Sequence, residues 1–463
     1  MYLLIVSQRL YVILVTFYMI AQSKGRNGLD YPDYGGAILL RGTADFGVKS
    51  ENSTLTLTSC TFRNNTSIGD SGAIDNIGAT IIATDTTFSD NNSGGVGGAI
   101  FSAGFATFTG CEFTGNTATD VGGAIYTTLG EAVFTDTIFS NNDSGESGGA
   151  IGSIGSPANG DARITATDTI FSNNAAARNG GAVYSFGLAT FVGCDFIGNT
   201  ADNAGGAIVT QGVASDFDNC KFIGNIATGA ADFFQAGAGG AIVSAAETTV
   251  KSTLFKCNFA VAGGAILHLI GGQLSMDDVE VTANTAIVGG GIFLGDEFGT
   301  ITSDFDSCRF YQNAASEGGA IYFDGPDQSS LIDGTVFQSN TALAQAIDIF
   351  NENPSTVECG AGHDNCFCDA DSSTDISTND LPTTCAGDGV GSTCPGCTPP
   401  AAPIVCDGDN GFSGAGVLTR AEDNNPPDMD IEEMLKNVME NLMETKTTME
   451  TKARRRSGQN RRH

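Results

Sequence analysis

A chain of 463 residues with 41% hydrophobic residues, 62 glycines and no tryptophan has apolar material enough for a core, so its glycine content does not mean disorder. Its formal net charge of −32 repels phosphate backbones and anionic bilayers, which excludes nucleic acid as a partner. Such a charge reads as a solvated acidic surface, with calcium binding to that surface as the sharper alternative.

In chain order, Arg9 precedes an apolar run over residues 10–20, and Ala21-Gln22-Ser23 puts small residues where a signal peptidase reads. Residues 1–23 therefore read as a signal peptide. The alternative is an uncleaved anchor, because the apolar stretch begins at Tyr2. No later segment is long and apolar enough to span a bilayer as a helix.

Two short patterns alternate over residues 35–347. One is Gly-Gly-Ala-Ile, as at Gly97-Gly98-Ala99-Ile100, Gly122-Gly123-Ala124-Ile125 and Gly205-Gly206-Ala207-Ile208. The other is Phe-x-x-Asn with Cys or Thr two residues before the Phe: Cys60/Phe62/Asn65, Cys111/Phe113/Asn116, Thr137/Phe139/Asn142 and Cys194/Phe196/Asn199. The first four Phe positions, 62, 88, 113 and 139, are 26, 25 and 26 apart, and each is followed 12 residues later by an Ile. At Phe259 the Asn is missing and Ala262 takes its place. Insertions at 155–162 and at 226–238, the latter with Phe233-Phe234, lengthen two turns.

The segments between these marks are short and rich in β-formers, without a 3.6-residue period. With Leu57, Phe108 or Phe134 five residues before the Phe, three inward positions per turn predict a triangular core of stacked Phe, Ile and Phe/Leu. The Asn residues tolerate left-handed backbone at a corner and can hydrogen-bond from turn to turn. The fold class that follows is all-β, a single-stranded parallel β-helix of about eleven turns over residues 24–350.

Of 13 cysteines, Cys60, Cys111, Cys194, Cys220, Cys257 and Cys308 lie in the repeat and are assigned to the slot that Thr86 and Thr137 fill elsewhere. They form either a buried stack of small residues or disulfides between adjacent turns, with Cys194–Cys220 the candidate pair and Cys220–Cys257 its competitor. Seven more cysteines fall within 351–410, where a disulfide-knit cap over the open helix end is expected ahead of a zinc site. Residues 411–463 read as an acidic, Met-rich tail with a basic end. A helical apolar stripe over 428–452 within it could support self-association.

The alternation of Gly-Gly-Ala-Ile with Phe-x-x-Asn resembles the repeat region of chlamydial polymorphic outer-membrane proteins. The resemblance implies a pectin-lyase-like, right-handed β-helix and a role as a surface adhesin. The chain ends Arg461-Arg462-His463 rather than with the amphipathic strands of an autotransporter barrel. Lyases and glycosidases share that fold, but Asp216/Asp218, Asp277-Asp278 and Asp304/Asp306 recur at one place in the repeat, which suits solvated turns better than a single acid–base pair. His268 reads as a surface strand histidine. No catalytic residue, metal ligand set or cofactor is assigned. The expected function is a secreted or cell-surface, non-catalytic β-helix that binds an extracellular glycan, matrix or surface protein. A polysaccharide lyase or hydrolase and a structural cell-wall element are the alternatives.

Overall fold

The computed structural model describes residues 54–351 except 156–161, 230–236, 270–271, 296–300, 325–328, 346–347, and in addition Cys406 and short strands or segments within 5–18, 38–41, 356–358, 365–368 and 376–378. The insertion tip with Phe233-Phe234 and the 428–452 stripe lie outside the described residues. All regular structure described is β-strand, in a parallel β-solenoid of about ten turns. Its described residues divide into two units, one within Met1–Thr200 and Gln211–Val213, the other within Ala201–Thr210 and Ala214–Asn441.

In the first unit each turn gives one strand to each of three parallel sheets. Sheet 1 holds Thr54–Thr58, Thr80–Thr84, Ala106–Thr109, Gly130–Thr135, Ala162–Thr167 and Leu188–Val192. Sheet 2 carries the Phe ladder, from Thr61–Arg63 to Asp195–Ile197, and sheet 3 the Ile of Gly-Gly-Ala-Ile, from Ile74–Ile77 to Val183–Ser185. A short fourth sheet, begun by Thr66–Ser67, follows the Asn corner. The second unit repeats the plan, with Ala214–Asp218, Lys221–Ile223 and Ile208–Thr210 as its first strands in sheets 1, 2 and 3.

Like residues stack on like because the register is unbroken: Phe62, Phe88 and Phe113 face one another, as do Ile74, Ile100 and Ile125. Ring centroids in the Phe ladder are 5.0 Å apart for Phe62–Phe88, 4.8 Å for Phe113–Phe139 and 4.7 Å for Phe171–Phe196. The apolar residue five positions earlier meets it edge-on, as Phe108 does Phe113 at 5.3 Å. Each fully buried ring contributes roughly 2–3 kcal/mol from burial, with offset and edge contacts adding to it. Sheet 1 has a second inward column that the sequence pattern did not mark, in which Leu55, Ile81 and Ala106 are buried.

The corner after the Phe is held by Asn residues, all fully buried. The side chain of Asn91 donates to the Phe62 carbonyl at 3.0 Å and to Asn116 Oδ1 at 2.9 Å, and the pattern repeats at Asn116, Asn142 and Asn174. The left-handed residue of this corner is not the ladder Asn but its predecessor: Asn64, Asp90, Gly115 and Asn141 have φ of 54–64°. At the other corner Gly97 has φ 64°, and a Cβ on Gly98 would collide with the carbonyl oxygens of Gly123 and Thr117.

Three expectations shift. In the turn near 255 the ladder Phe is Phe255, not Phe259: it pairs with Phe222 and Val281, and Asn258 supplies the corner Asn. Cys257 consequently leaves the Cys/Thr slot, which Thr253 fills. Strand pairing also continues beyond residue 350. Thr356–Glu358, Cys366–Phe367 and Ile376–Thr378 join sheets 1, 2 and 3, with Phe367 on Phe337. At the other end Arg9–Ile13 and Thr16–Tyr18 pair in parallel with Thr54–Thr58 and Thr61–Arg63, so that Leu10 and Val12 align with Leu55 and Leu57, and Phe17 with Phe62.

Candidate functional site: the outward face of sheet 1

The residues that mark the repeat are used up in building it. Phe62, Phe113, Phe139, Phe196, Asn65, Asn116, Asn142 and Asn199 are all fully buried. At the Asn corners Asn64, Asn65, Asn91 and Asn142 each begin Asn-x-Ser/Thr, the acceptor tripeptide of N-glycosylation; Asn65, Asn91 and Asn142 are closed to such modification in the fold, whereas Asn64 is exposed.

The slot before the Phe is a hydroxyl-and-thiol column at the corner between sheets 1 and 2. Thr137 Oγ1 donates to the Thr135 carbonyl at 3.0 Å, and Cys111 Sγ to the carbonyls of Ala83 and Thr109 at 3.5 Å. Cys194 and Cys220, the pair expected to bond, are both thiols. Cys257 is bonded instead to Cys406, with a Cα separation of 5.7 Å across 149 residues of sequence, and Cys368 is also disulfide-bonded. The register shift explains the change: Cys257 stands at the left-handed Asn corner, φ 57°, separated from the Cys/Thr column by the sheet 2 strand Leu254–Lys256. Burial pushes the Cys111 thiol up and that of Cys308 up to about 12, with a hydrogen bond from the Val279 backbone opposing in the latter. These thiols are poor nucleophiles, because the thiolate is the reactive form.

His268 is not a surface residue. It is fully buried on Ile266–Leu269, stacked between Ser244 and Leu294. It continues a buried polar column of sheet 3 in which Thr210 Oγ1 lies 3.3 Å from Ser244 Oγ, itself hydrogen-bonded to Thr248. Burial lowers its pKa to about 4. The Gly272 backbone opposes this from a position too poor for a good hydrogen bond. A neutral imidazole sealed from solvent has no route to a substrate.

What remains accessible is the outward side of sheet 1, where positions two apart along each strand form three columns; the first runs through Thr54, Thr80, Glu131, Arg163 and Leu188 in the first unit, and the marked carboxylates lie in the other two. In the second unit these two carry Asp216 and Asp218, Thr249 and Lys251, Ser275 and Asp277, Asp304 and Asp306, Leu331 and Asp333. The carboxylates marked in the sequence thus all fall on one face, with Asp278 at its corner. Asp277, Asp306 and Asp333 are successive in one column, and Lys251 precedes them. Like charges at strand spacing repel, so this face is electrostatically strained toward cations. Among the described residues no group of three or more His, Cys, Asp or Glu side chains is placed to hold a metal ion. In the first unit the same two columns are uncharged: Thr56 and Thr58, Ile82 and Thr84, Thr107 and Thr109, Val133 and Thr135, Thr165 and Thr167, Thr190 and Val192. Hydrophobic periodicity cannot show these residues, because they contribute nothing to the core; the recurring Thr-x-Thr at the strand ends was their only trace.

No curated protein and no solved structure matches the chain. Four segments, residues 85–103, 110–128, 168–185 and 193–211, match the Chlamydia polymorphic membrane protein repeat. Each begins at the corner just after a sheet 1 strand and ends in or beside a sheet 3 strand, so the matched unit spans sheets 2 and 3 and leaves the preceding sheet 1 strand outside. At these four places between residues 85 and 211 the solenoid thus fits a Chlamydia polymorphic membrane protein repeat region.

Proposed function

We propose that the chain is a surface-exposed, non-catalytic β-solenoid that attaches to an extracellular glycan or protein through the outward side chains of sheet 1. The observation that carries this reading is the division of labour in the repeat. Every residue that defines it is buried, and the carboxylates that could do acid–base chemistry are spread along a column instead of facing one another across a cleft. The repeat belongs to membrane proteins, which supports display at a cell surface. The acidic columns of the second unit suit a basic partner, whose binding weakens as salt screens the attraction.

The test is a glycan and protein binding screen on the purified chain, run beside a polysaccharide depolymerisation assay. Saturable binding that falls with salt and with Asp304→Asn/Asp306→Asn, without turnover, is the expected result. Release of unsaturated or reducing sugar ends would refute the non-catalytic reading.

A further inference from the structure

Two of the three outward columns of sheet 1 in the first unit have a chemistry that adhesion to a basic partner does not use; the third, which precedes them along the strands, carries Glu131 and Arg163. Over six successive strands of the first unit, all twelve outward residues in these two columns are β-branched, nine of them Thr, and none is charged. This occurs in a chain of net charge −32. Strand propensity alone does not require it, since the equivalent columns of the second unit hold Asp and Lys. The register runs without a bulge through all six strands. All twelve side chains are exposed or half-exposed. Only Thr165 among the nine threonines makes a side-chain hydrogen bond to another described residue, to Glu131 at 3.2 Å.

We propose that this face binds the surface of ice. Rungs recur about every 4.8 Å and the two columns stand about 6.7 Å apart along the strand, which makes a rectangular net. Oxygen atoms on exposed planes of hexagonal ice repeat on nets of closely similar dimensions. Each Thr offers one hydroxyl to occupy or bind a lattice position and one methyl that orders the water beside it. β-Branching holds both in a restricted set of rotamers, so little side-chain entropy is lost on binding. The absence of charge matters as much, because an ionic side chain holds a hydration shell that does not fit the lattice.

Other occupants fit less well. A second copy brings another large negative charge, and a strip of six rungs about 10 Å wide covers roughly 300 Å², against about 800 Å² per partner in a stable protein interface. A crystalline polysaccharide calls for a row of aromatic platforms, but neither column contains an aromatic residue, the chain has no tryptophan, and Phe105, exposed two residues before Thr107, is a single ring. The face also lies in the strands that the matched repeat segments leave out, so the inference does not rest on the surface-protein reading and neither stands or falls with the other.

The experiment measures thermal hysteresis and ice-crystal shape with the full chain in dilute buffer. Faceted crystals and a gap between melting and freezing are expected. Thr107→Lys and Thr109→Lys, at the centre of the net, should reduce the gap at least severalfold, and Thr109→Ser, which keeps the hydroxyl and removes the methyl, should reduce it in part. Ile138→Lys, at an exposed outward position of sheet 2, should leave it unchanged. Far-UV circular dichroism confirms that each variant is folded, and the serine variant serves if a lysine variant is not. Round crystals with no gap from the folded chain would overturn the proposal. So would a gap that survives both Thr109 variants, binding to crystalline cellulose or chitin that these variants abolish without any effect on ice, or a dimer that dissociates in Thr109→Lys.

Discussion

Asn142→Ala tests whether the corner ladder holds neighbouring turns together. Asn142 Oδ1 accepts from the Asn116 backbone N–H at 3.0 Å and from Asn116 Nδ2 at 2.9 Å; its own Nδ2 donates to the Phe113 carbonyl and to Asn174 Oδ1, both at 2.9 Å. Alanine removes four hydrogen bonds worth about 1 kcal/mol each and leaves their partners sealed from water, so roughly 4 kcal/mol is expected. That matches the cost of about 3–5 kcal/mol for truncating a buried Phe such as Phe139. In a solenoid each turn touches only its neighbours, so the loss should stay local. Amide hydrogen exchange is therefore the assay: protection in Thr117–Ala118, Asp143–Ser144 and Ala175–Ala176 should fall by about a thousandfold, at about 1.4 kcal/mol per factor of ten. Asn141 is the internal control. It is exposed at φ 54°, so Asn141→Ala should cost only about 1 kcal/mol of backbone strain and Asn141→Gly nothing. If Asn142→Ala lowers protection by less than about tenfold, or no more than Asn141→Ala does, the ladder is not what binds the turns.

Three further predictions concern buried groups. His268 titrates at about 4 in the fold against 6.5 ordinarily, so the unfolded chain takes up the proton first; stability from this site is complete above about pH 6.5 and is lost as the pH falls toward 4, by about 3 kcal/mol. His268→Leu should flatten the acid limb of a stability–pH curve over that window, and an unchanged limb would contradict the assignment. Non-reducing peptide mapping should recover Cys257 linked to Cys406, with reductant lowering the melting temperature of the second unit; a Cys194–Cys220 peptide would contradict the structure. Cys308, pushed up to about 12 by burial, should resist thiol reagents at pH 8 until denaturant is added, and rapid labelling of the native chain would show that the column opens.

The core was legible because its spacing is strict. Phe, Ile and the residue five before the Phe repeat at one phase, and the structure stacks them so. The one slip came where the pattern had two solutions: Phe255 and Phe259 both have a small residue two positions before them, Thr253 and Cys257, and only the pairing with Phe222 chooses between them. The Cys257–Cys406 bond was hidden by the same slip. His268 reads as a surface residue, and the Ser/Thr column beside it passes unmarked, for another reason. Buried hydroxyls and a buried imidazole have the letters of a surface strand, and their burial comes from the meeting of two sheets rather than from hydrophobic spacing. The left-handed corner residue was missed because Asn64, Asp90 and Gly115 share a conformation and no side chain.

Inward and outward residues alternate along every strand of sheet 1, so fold and surface chemistry can be changed independently. Phe108 and Thr109 are adjacent, yet the first is fully buried against Phe113 and the second is exposed. Phe108→Ala should cost several kcal/mol of stability and distort the net of Thr side chains by loosening the rung beneath it. Thr109→Ser should leave the fold intact while thinning the face. This separation explains how one solenoid can keep its ladders from turn to turn and still change its outward face from a threonine net in the first unit to an acidic one in the second. Selection on the face leaves the core untouched, so the outward columns, which the repeat does not constrain, are where the chain's own binding chemistry is to be sought.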